Sequence, residues 1–265
     1  MHPRLLQFGH LAIPTYGALT ALALIAALAA AVHFARRLSL DPNKVWTLSL
    51  TAILTALITA RLLLVAAHFS IFRQHPFWIL GLTGGRDWWI VPASVALGIA
   101  AAVLYALSED LPLFRVADTL APAAALAVTI NRIGAFLAGL DFGTPAALPW
   151  SVTYTSRIAA IWYRTPLGIP LHPAQLYEAA AALIIFALLI WYLPRRRHDG
   201  EIAGAALFLF GLTAPFLDLF RAGQTRPAFS LALSIATVIA GAALWLDRKN
   251  YPHRYTSTDD SPPAP

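Results

Sequence analysis

The sequence predicts an all-α polytopic membrane protein of seven transmembrane helices with a small extracytoplasmic head segment, and three observations carry that expectation. Only 12% of the 265 residues are charged and 58% are hydrophobic, whereas a soluble domain carries roughly 25% charged residues. The mean hydropathy is +0.65. Seven apolar runs, 14–35, 46–68, 88–107, 116–138, 176–193, 202–220 and 228–246, reach the roughly 18 residues that a bilayer crossing needs. Residues 1–250 are then expected to form a single integral membrane domain. The remainder, 251–265, reads YPHRYTSTDDSPPAP, a polar, Pro-rich tail whose composition predicts disorder.

Taken in order, span one resembles a secretory signal at first sight, since Arg4 precedes an apolar run containing Ala27-Leu28-Ala29. Arg36 and Arg37 follow directly, the wrong flank for cleavage, so the run is expected to stay as a helix. Span two carries Arg61, and span three opens at Pro92, where a proline is tolerated near a helix start. Span four holds Asp118, Pro122 and Arg132; span five opens on the stretch LHPAQLYE; span six ends in PFLDLFR; span seven has no ionisable residue inside it. Pro122 is expected near the beginning of its span, and Pro215 to kink span six close to Arg221. Between spans four and five, residues 141–171 contain four prolines, two tryptophans and an alternating SVTYTS segment, which predicts a small folded cap. Its Trp150, Trp162 and Tyr163 suit the headgroup zone, either as an aromatic belt or in contact with substrate.

Orientation follows from the basic residues. Arg36, Arg37, Lys44, Arg115, Arg195, Arg196, Arg197, Arg248, Lys249 and Arg254 fall on one side, against Arg4, Arg73, Arg86, Arg157, Arg164 and Arg226 on the other. The positive-inside rule then puts the N-terminus outside and the C-terminus in the cytoplasm. The net charge of +6 sits mainly in cytoplasmic loops, so it reports orientation and contact with anionic lipid, and no nucleic-acid partner is expected. The chain has no Cys, and its eight His are scattered with no HExxH pair. No thiolate nucleophile of its own, no metal and no cofactor are therefore expected.

Ionisable residues inside spans are costly enough to count as functional candidates. Arg132 lies fourteen residues beyond Asp118, about 21 Å along a helix, so the two cannot pair. Gly134, Ala138 and Gly139 thin the helix beside Arg132 and would let a backbone or a lipid headgroup approach. Asp218 and Arg221 stand at i and i+3, on one helix face. Gln175 could reach back to the amide at His172 as a capping box, but capping does not explain Glu178, which lies beyond the first turn. With even spans running outward, Arg132, His172, Glu178 and Arg221 all come to the outer half of the bilayer. Two guanidiniums at that depth suit a phosphodiester, which Arg grips with forked hydrogen bonds, and Glu178 and His172 offer acid, base or orienting groups. The alternative is that each Arg pairs with an acid simply to hold the bundle together.

These residues carry a resemblance. HPAQLYE, from His172 to Glu178, is similar to the His-Pro-x-Gln-Leu-Tyr-Glu motif of the prolipoprotein diacylglyceryl transferases, and Asp118, Pro122, Arg132 and Gly134 stand at the spacings of that family's signature segment. Tyr16-Gly17 resembles its Tyr-Gly in span one, Thr59-Ala60-Arg61 its Gly-Gly-Arg in span two, and Asp218 with Arg221 its acid-x-x-Arg in span six. DFGTPAALPWSV resembles the segment entering its head domain. The resemblance implies transfer of the diacylglyceryl group from phosphatidylglycerol to the lipobox cysteine thiol in a prolipoprotein signal peptide, at a bacterial inner membrane and without a cofactor. It implies that Arg132, Arg221, Arg61, Tyr16, Gly134, Gln175 and Asp218 bind lipid or phosphate.

Where the family carries a His and two Gly in span three, this chain has no His, and the aligned position is near Ala93. The family's Asn after Arg-x-Gly is Ala135, its next acid is shifted to Asp141, and a Tyr and an Arg of span six are Phe210 and Ala214. The catalytic acid and base then fall to His172, Glu178 or Asp141, with His172 as the substitute base. Two other functions stay open: a catalytically silent member that binds phospholipid or a lipoprotein precursor, and a membrane transporter, for which no internal repeat is found.

Overall fold

A computed structural model describes residues 3–8, 11–75, 87, 89–223 and 227–250. The tail 251–265 and the residues Arg86 and Arg226 lie outside the described residues. Seven helices are long and apolar enough to cross a membrane: α1 (Thr15–Arg37), α2 (Pro42–Ala67), α4 (Ile90–Ser108), α5 (Leu113–Ala138), α7 (Ala174–Tyr192), α8 (Glu201–Asp218) and α9 (Pro227–Asn250). They coincide with the seven expected spans, and the chain is a multi-pass membrane protein.

Shorter elements decorate one end. A hairpin of β1 (Arg4–Phe8) and β2 (Leu11–Pro14) precedes α1, and α3 (Phe69–Gln74) follows α2. Hydropathy predicts neither, since each is too short to leave a membrane-sized signal. In the head segment β3 (Val152–Thr153) pairs antiparallel with β4 (Pro170–Leu171) around α6 (Arg157–Tyr163), so residues 141–171 do fold.

Helix ends obey local chemistry. Asp41 accepts a hydrogen bond from the Asn43 amide at 2.8 Å with Pro42 in the first turn of α2, an N-cap followed by the residue that needs no amide partner there. Arg36 and Arg37 occupy the last turn of α1, where cations complement the helix dipole. Gly139, at φ +85°, ends α5 in the left-handed conformation, which costs glycine little. Because α5 begins at Leu113, Pro122 lies in its interior and not near its beginning, a correction to the expected boundary.

The buried apolar core is concentrated at the end of the bundle away from the head segment. Ala31 and Ala35 of α1, Val45 and Leu48 of α2, Ala106 of α4 and Val116 and Ala123 of α5 form one cluster there. Phe34 of α1, Ile185 and Leu189 of α7 and Ile202 and Ala206 of α8 form a second. Helix α5 runs through the middle, packing along both α1 and α7, while α2 pairs with α4 and α8 with α9. Small residues set these approaches: a Cβ on Gly134 would come within 2.6 Å of Leu19 Cβ on α1. Gly134 therefore admits a neighbouring helix, one of the two approaches that its spacing suggested.

Gln175 ties the head to the bundle. Fully buried, it donates from Nε2 to the Leu140 carbonyl at 2.6 Å and to the Tyr154 hydroxyl at 3.1 Å. That geometry replaces the expected capping box, since no side chain caps the start of α7. Substituting Gln175→Leu leaves the Leu140 carbonyl and the buried phenol unpaired, at a cost of about 1–3 kcal/mol. Thermal unfolding in detergent should fall by several degrees and proteolysis within 141–171 should accelerate; an unchanged melting temperature would mean the tie is not needed.

Candidate functional site

Arg132 stands two turns before the end of α5, and Glu178 sits in the second turn of the antiparallel α7. Arg132 Nε lies 2.7 Å from Glu178 Oε2. Directly after α5 the chain turns over, and Asp141, at φ +54°, places Oδ2 at 2.9 Å from the second guanidinium arm of Arg132. Arg221, three residues past Asp218 at the end of α8, reaches Glu178 Oε1 at 3.1 Å and Asp141 Oδ2 at 3.7 Å. Asp218 lies 3.9 Å from Arg221 and is further held by the Ser230 hydroxyl of α9, which donates to it. Arg132, Glu178 and Arg221, expected at one depth, meet within hydrogen-bond distance.

The position of Arg221 depends on a backbone clip. Phe142 and Thr144 bracket the end of α8: Thr144 N donates to Phe220 O at 2.9 Å, Ala222 N donates to Phe142 O at 3.1 Å, and His172 N donates to Thr144 O at 2.9 Å. Between them, a Cβ on Gly143 would collide with His172 O and lie 2.8 Å from Phe220 O. Only glycine fits there without moving backbone.

A cavity of about 160 Å³ opens beside the charges. Its polar end is Arg132, Glu178, Asp218 and Arg221; its apolar wall is Val128 of α5, Ala181 and Ala182 of α7, and Phe210, Thr213, Ala214 and Leu217 of α8. One polar end and one apolar wall suit an amphiphile whose charged group is anionic. The two cations are already engaged by carboxylates, so an incoming phosphate shares or displaces them. Arg221 Nε is buried with no hydrogen-bond partner among the described residues, and an acceptor oxygen would satisfy it. Phe210 and Ala214, the two departures in span six, both line this wall.

The other expected site residues do not line the cavity. His172 Nδ1 is 3.3 Å from the Tyr177 hydroxyl, and its ring packs 5.1 Å from that of Phe220. Tyr16 of α1 is 3.5 Å from Asn131 Nδ2, which donates to Thr20 at 2.9 Å, so it meets the residue that precedes Arg132 on α5. Arg61 lies 5.4 Å over the Phe72 ring, beside α3. Gln175 contacts Leu140 and Tyr154, and Gly134 faces Leu19. Asp118 belongs to the opposite end, where it accepts hydrogen bonds from the amides of Gly200 and Ala203. Among the described residues no group of three or more His, Asp or Glu could hold a metal ion. Sequence reasoning missed Phe220 and Ser230, whose neutral side chains give no signal, and left Trp150 open between an interfacial ring and a substrate contact.

Comparison with known proteins adds a family. The family described as prolipoprotein diacylglyceryl transferase matches residues 3–246 of the chain. Among curated proteins, one named phosphatidylglycerol–prolipoprotein diacylglyceryl transferase from Synechococcus elongatus is 32% identical over 193 residues, covering 71% of this chain and 64% of that protein. Proteins of the same name from Nostoc and from Clostridium tetani are 30% identical over 275 residues and 24% identical over 246, each covering 95% of the relative and, respectively, 98% and 91% of this chain.

Proposed function

Since the chain belongs to the prolipoprotein diacylglyceryl transferase family, we propose that it transfers the diacylglyceryl group of phosphatidylglycerol to the lipobox cysteine thiol of a prolipoprotein signal peptide, in lipoprotein biosynthesis. The observation that carries the site assignment is the convergence of Arg132 and Arg221 on Glu178, at 2.7 Å and 3.1 Å, at the mouth of an apolar-walled cavity. In the reaction the thiol sulfur bonds to the terminal glyceryl carbon, and the bond from that carbon to the phosphate oxygen breaks. The electron pair leaves with glycerol phosphate, and the thiol proton passes to a base among Glu178, Asp141 and His172. Charge grows on the phosphate oxygen as it departs. Fixed guanidiniums in a water-poor site stabilise that charge, and no Cys, metal or cofactor of the enzyme is required. Asp218 holds Arg221, while Arg61, Tyr16, Gly134 and Gln175 bind lipid or support the elements that do. Residues 1–250 act as one domain in a bacterial inner membrane, with the charge cluster and the head segment 141–171 on the outer side and the C-terminus cytoplasmic.

A second reading is supported by the cavity wall. Phe210 and Ala214 stand where a phenol and a further guanidinium would add to the site, and span three offers no His. A member with those losses would bind phospholipid without transferring it.

Transfer from labelled phosphatidylglycerol to a lipobox peptide, run beside the same peptide with its Cys replaced by Ser, decides between them. Label on the Cys peptide alone is the expected result. No label in a preparation that still binds phosphatidylglycerol would establish the silent reading.

A further inference from the structure

Three aromatic side chains beside the charge cluster form a hydrogen-bond chain whose first link has a fixed direction. Trp150 Nε1 lies 2.7 Å from the Tyr177 hydroxyl oxygen, which in turn lies 3.3 Å from His172 Nδ1. An indole N–H can only donate, so the phenol oxygen accepts from Trp150. The phenol hydrogen is then free to go to His172, and Nδ1 receives it only as a bare lone pair. A neutral imidazole carries one hydrogen, which in that arrangement sits on Nε2.

The surroundings hold this arrangement in place. The Tyr177 and Phe220 rings meet edge to face at 5.5 Å and 78°, and the His172 ring lies 6.0 Å from Tyr177 and 5.1 Å from Phe220. Trp150 lies inside a turn closed by Ser151, whose hydroxyl accepts from the Leu148 amide at 2.9 Å. The Ala146 amide donates to Pro170 O at 3.0 Å, tying that turn to the strand that delivers His172. Tyr177 directly precedes Glu178, and Phe220 directly precedes Arg221, so the aromatic group and the charge cluster are built on the same two helix ends.

We propose that Trp150 and Tyr177 are positioning residues that hold His172 in its Nε2–H form, making it a hydrogen-bond donor to the departing phosphate and not the base that takes the thiol proton. This rests on the reading of His172 as a residue that faces substrate. The Nε2 hydrogen is shared with a phosphate oxygen and stays on the ring. The thiol proton goes instead to a carboxylate, Glu178 or Asp141, so the glycerol phosphate leaves as the anion and the step balances.

The test is nitrogen NMR of the full-length protein in detergent, labelled at its histidine rings, with His172→Gln assigning the resonance and the transfer rate measured on the same samples. The expected spectrum has a protonated Nε2 and a bare Nδ1 at His172. Tyr177→Phe should convert it to a mixture of tautomers and lower kcat about tenfold at nearly constant KM; Trp150→Phe should shift it the same way by a smaller amount. A wild-type ring protonated at Nδ1, an unchanged tautomer in Tyr177→Phe, or an unchanged kcat in that variant would each overturn the proposal. Wild-type transfer keeps the two readings apart: its absence sinks the proposed function, whereas transfer with an unmoved tautomer sinks only the positioning pair.

Discussion

Replacing Arg132 by Ala should lower transfer from phosphatidylglycerol by about 10²–10³-fold in kcat, the cost of removing one preorganised donor from a developing anion. Arg132 touches both Glu178, at 2.7 Å, and Asp141, at 2.9 Å, so its loss removes a positive charge and frees two carboxylates to repel the phosphate. The bundle itself should survive, because Glu178 keeps Arg221 at 3.1 Å and α5 is held by its contacts with α1 and α7. Arg132→Lys retains the charge but loses the planar fork, and should recover no more than about a tenth of the rate. Binding separates the site from scaffolding. Arg132→Ala should weaken phosphatidylglycerol binding and leave neutral diacylglycerol binding nearly unchanged. Equal losses for both lipids, or a fall in rate matched by a loss of folded protein, would make Arg132 a structural residue.

The features that are legible in the sequence share one property: they are set by the membrane. Spans must be apolar over their full length, and each span reverses direction, so a residue's depth can be counted from its place in the run. Counting along the runs is enough to bring Arg132, Glu178 and Arg221 to one level. What pairs with what at that level is not legible. The clip through Gly143, the tie from Gln175 to Leu140 and Tyr154, and the link from Ser230 to Asp218 join residues far apart in the chain by hydrogen bonds that leave no periodic trace. The same holds for Gly134. Its spacing beside Arg132 fits a lipid contact and a helix contact equally, and the close approach of Leu19 on α1 leaves no periodic trace either.

Asp118→Ala should be the most damaging substitution for stability, although the residue stands about 21 Å along α5 from Arg132. Its side chain is fully buried. It accepts from the amides of Gly200 at 2.8 Å and Ala203 at 2.9 Å and pairs with Arg196 at 3.1 Å. A carboxylate on α5 thus caps the positive end of α8, a tertiary cap that no local sequence signal could announce. Arg196 also binds Asp199 at 2.8 Å, and Arg115 donates to Asp199 at 3.0 Å and 3.1 Å. Burial works to raise the Asp199 carboxyl, but the hydrogen bonds from Arg115 and Arg196 outweigh it and hold the group below the ordinary carboxylate range. Asp199 is therefore charged and keeps its hold on Arg196 at 2.8 Å, whereas Ala at 118 would strand two buried amides. Leaving a buried donor unpaired costs about 1–3 kcal/mol, and two of them in a chain of this size lower the melting temperature by roughly 10 °C. Asp118→Asn, which keeps an acceptor oxygen, should lose less. Below the transition, transfer per folded molecule should stay near the wild-type rate in both variants, since the charge cluster is at the other end of the helix. A loss of transfer with an unshifted melting temperature would overturn the cap and bring Asp118 into the chemistry.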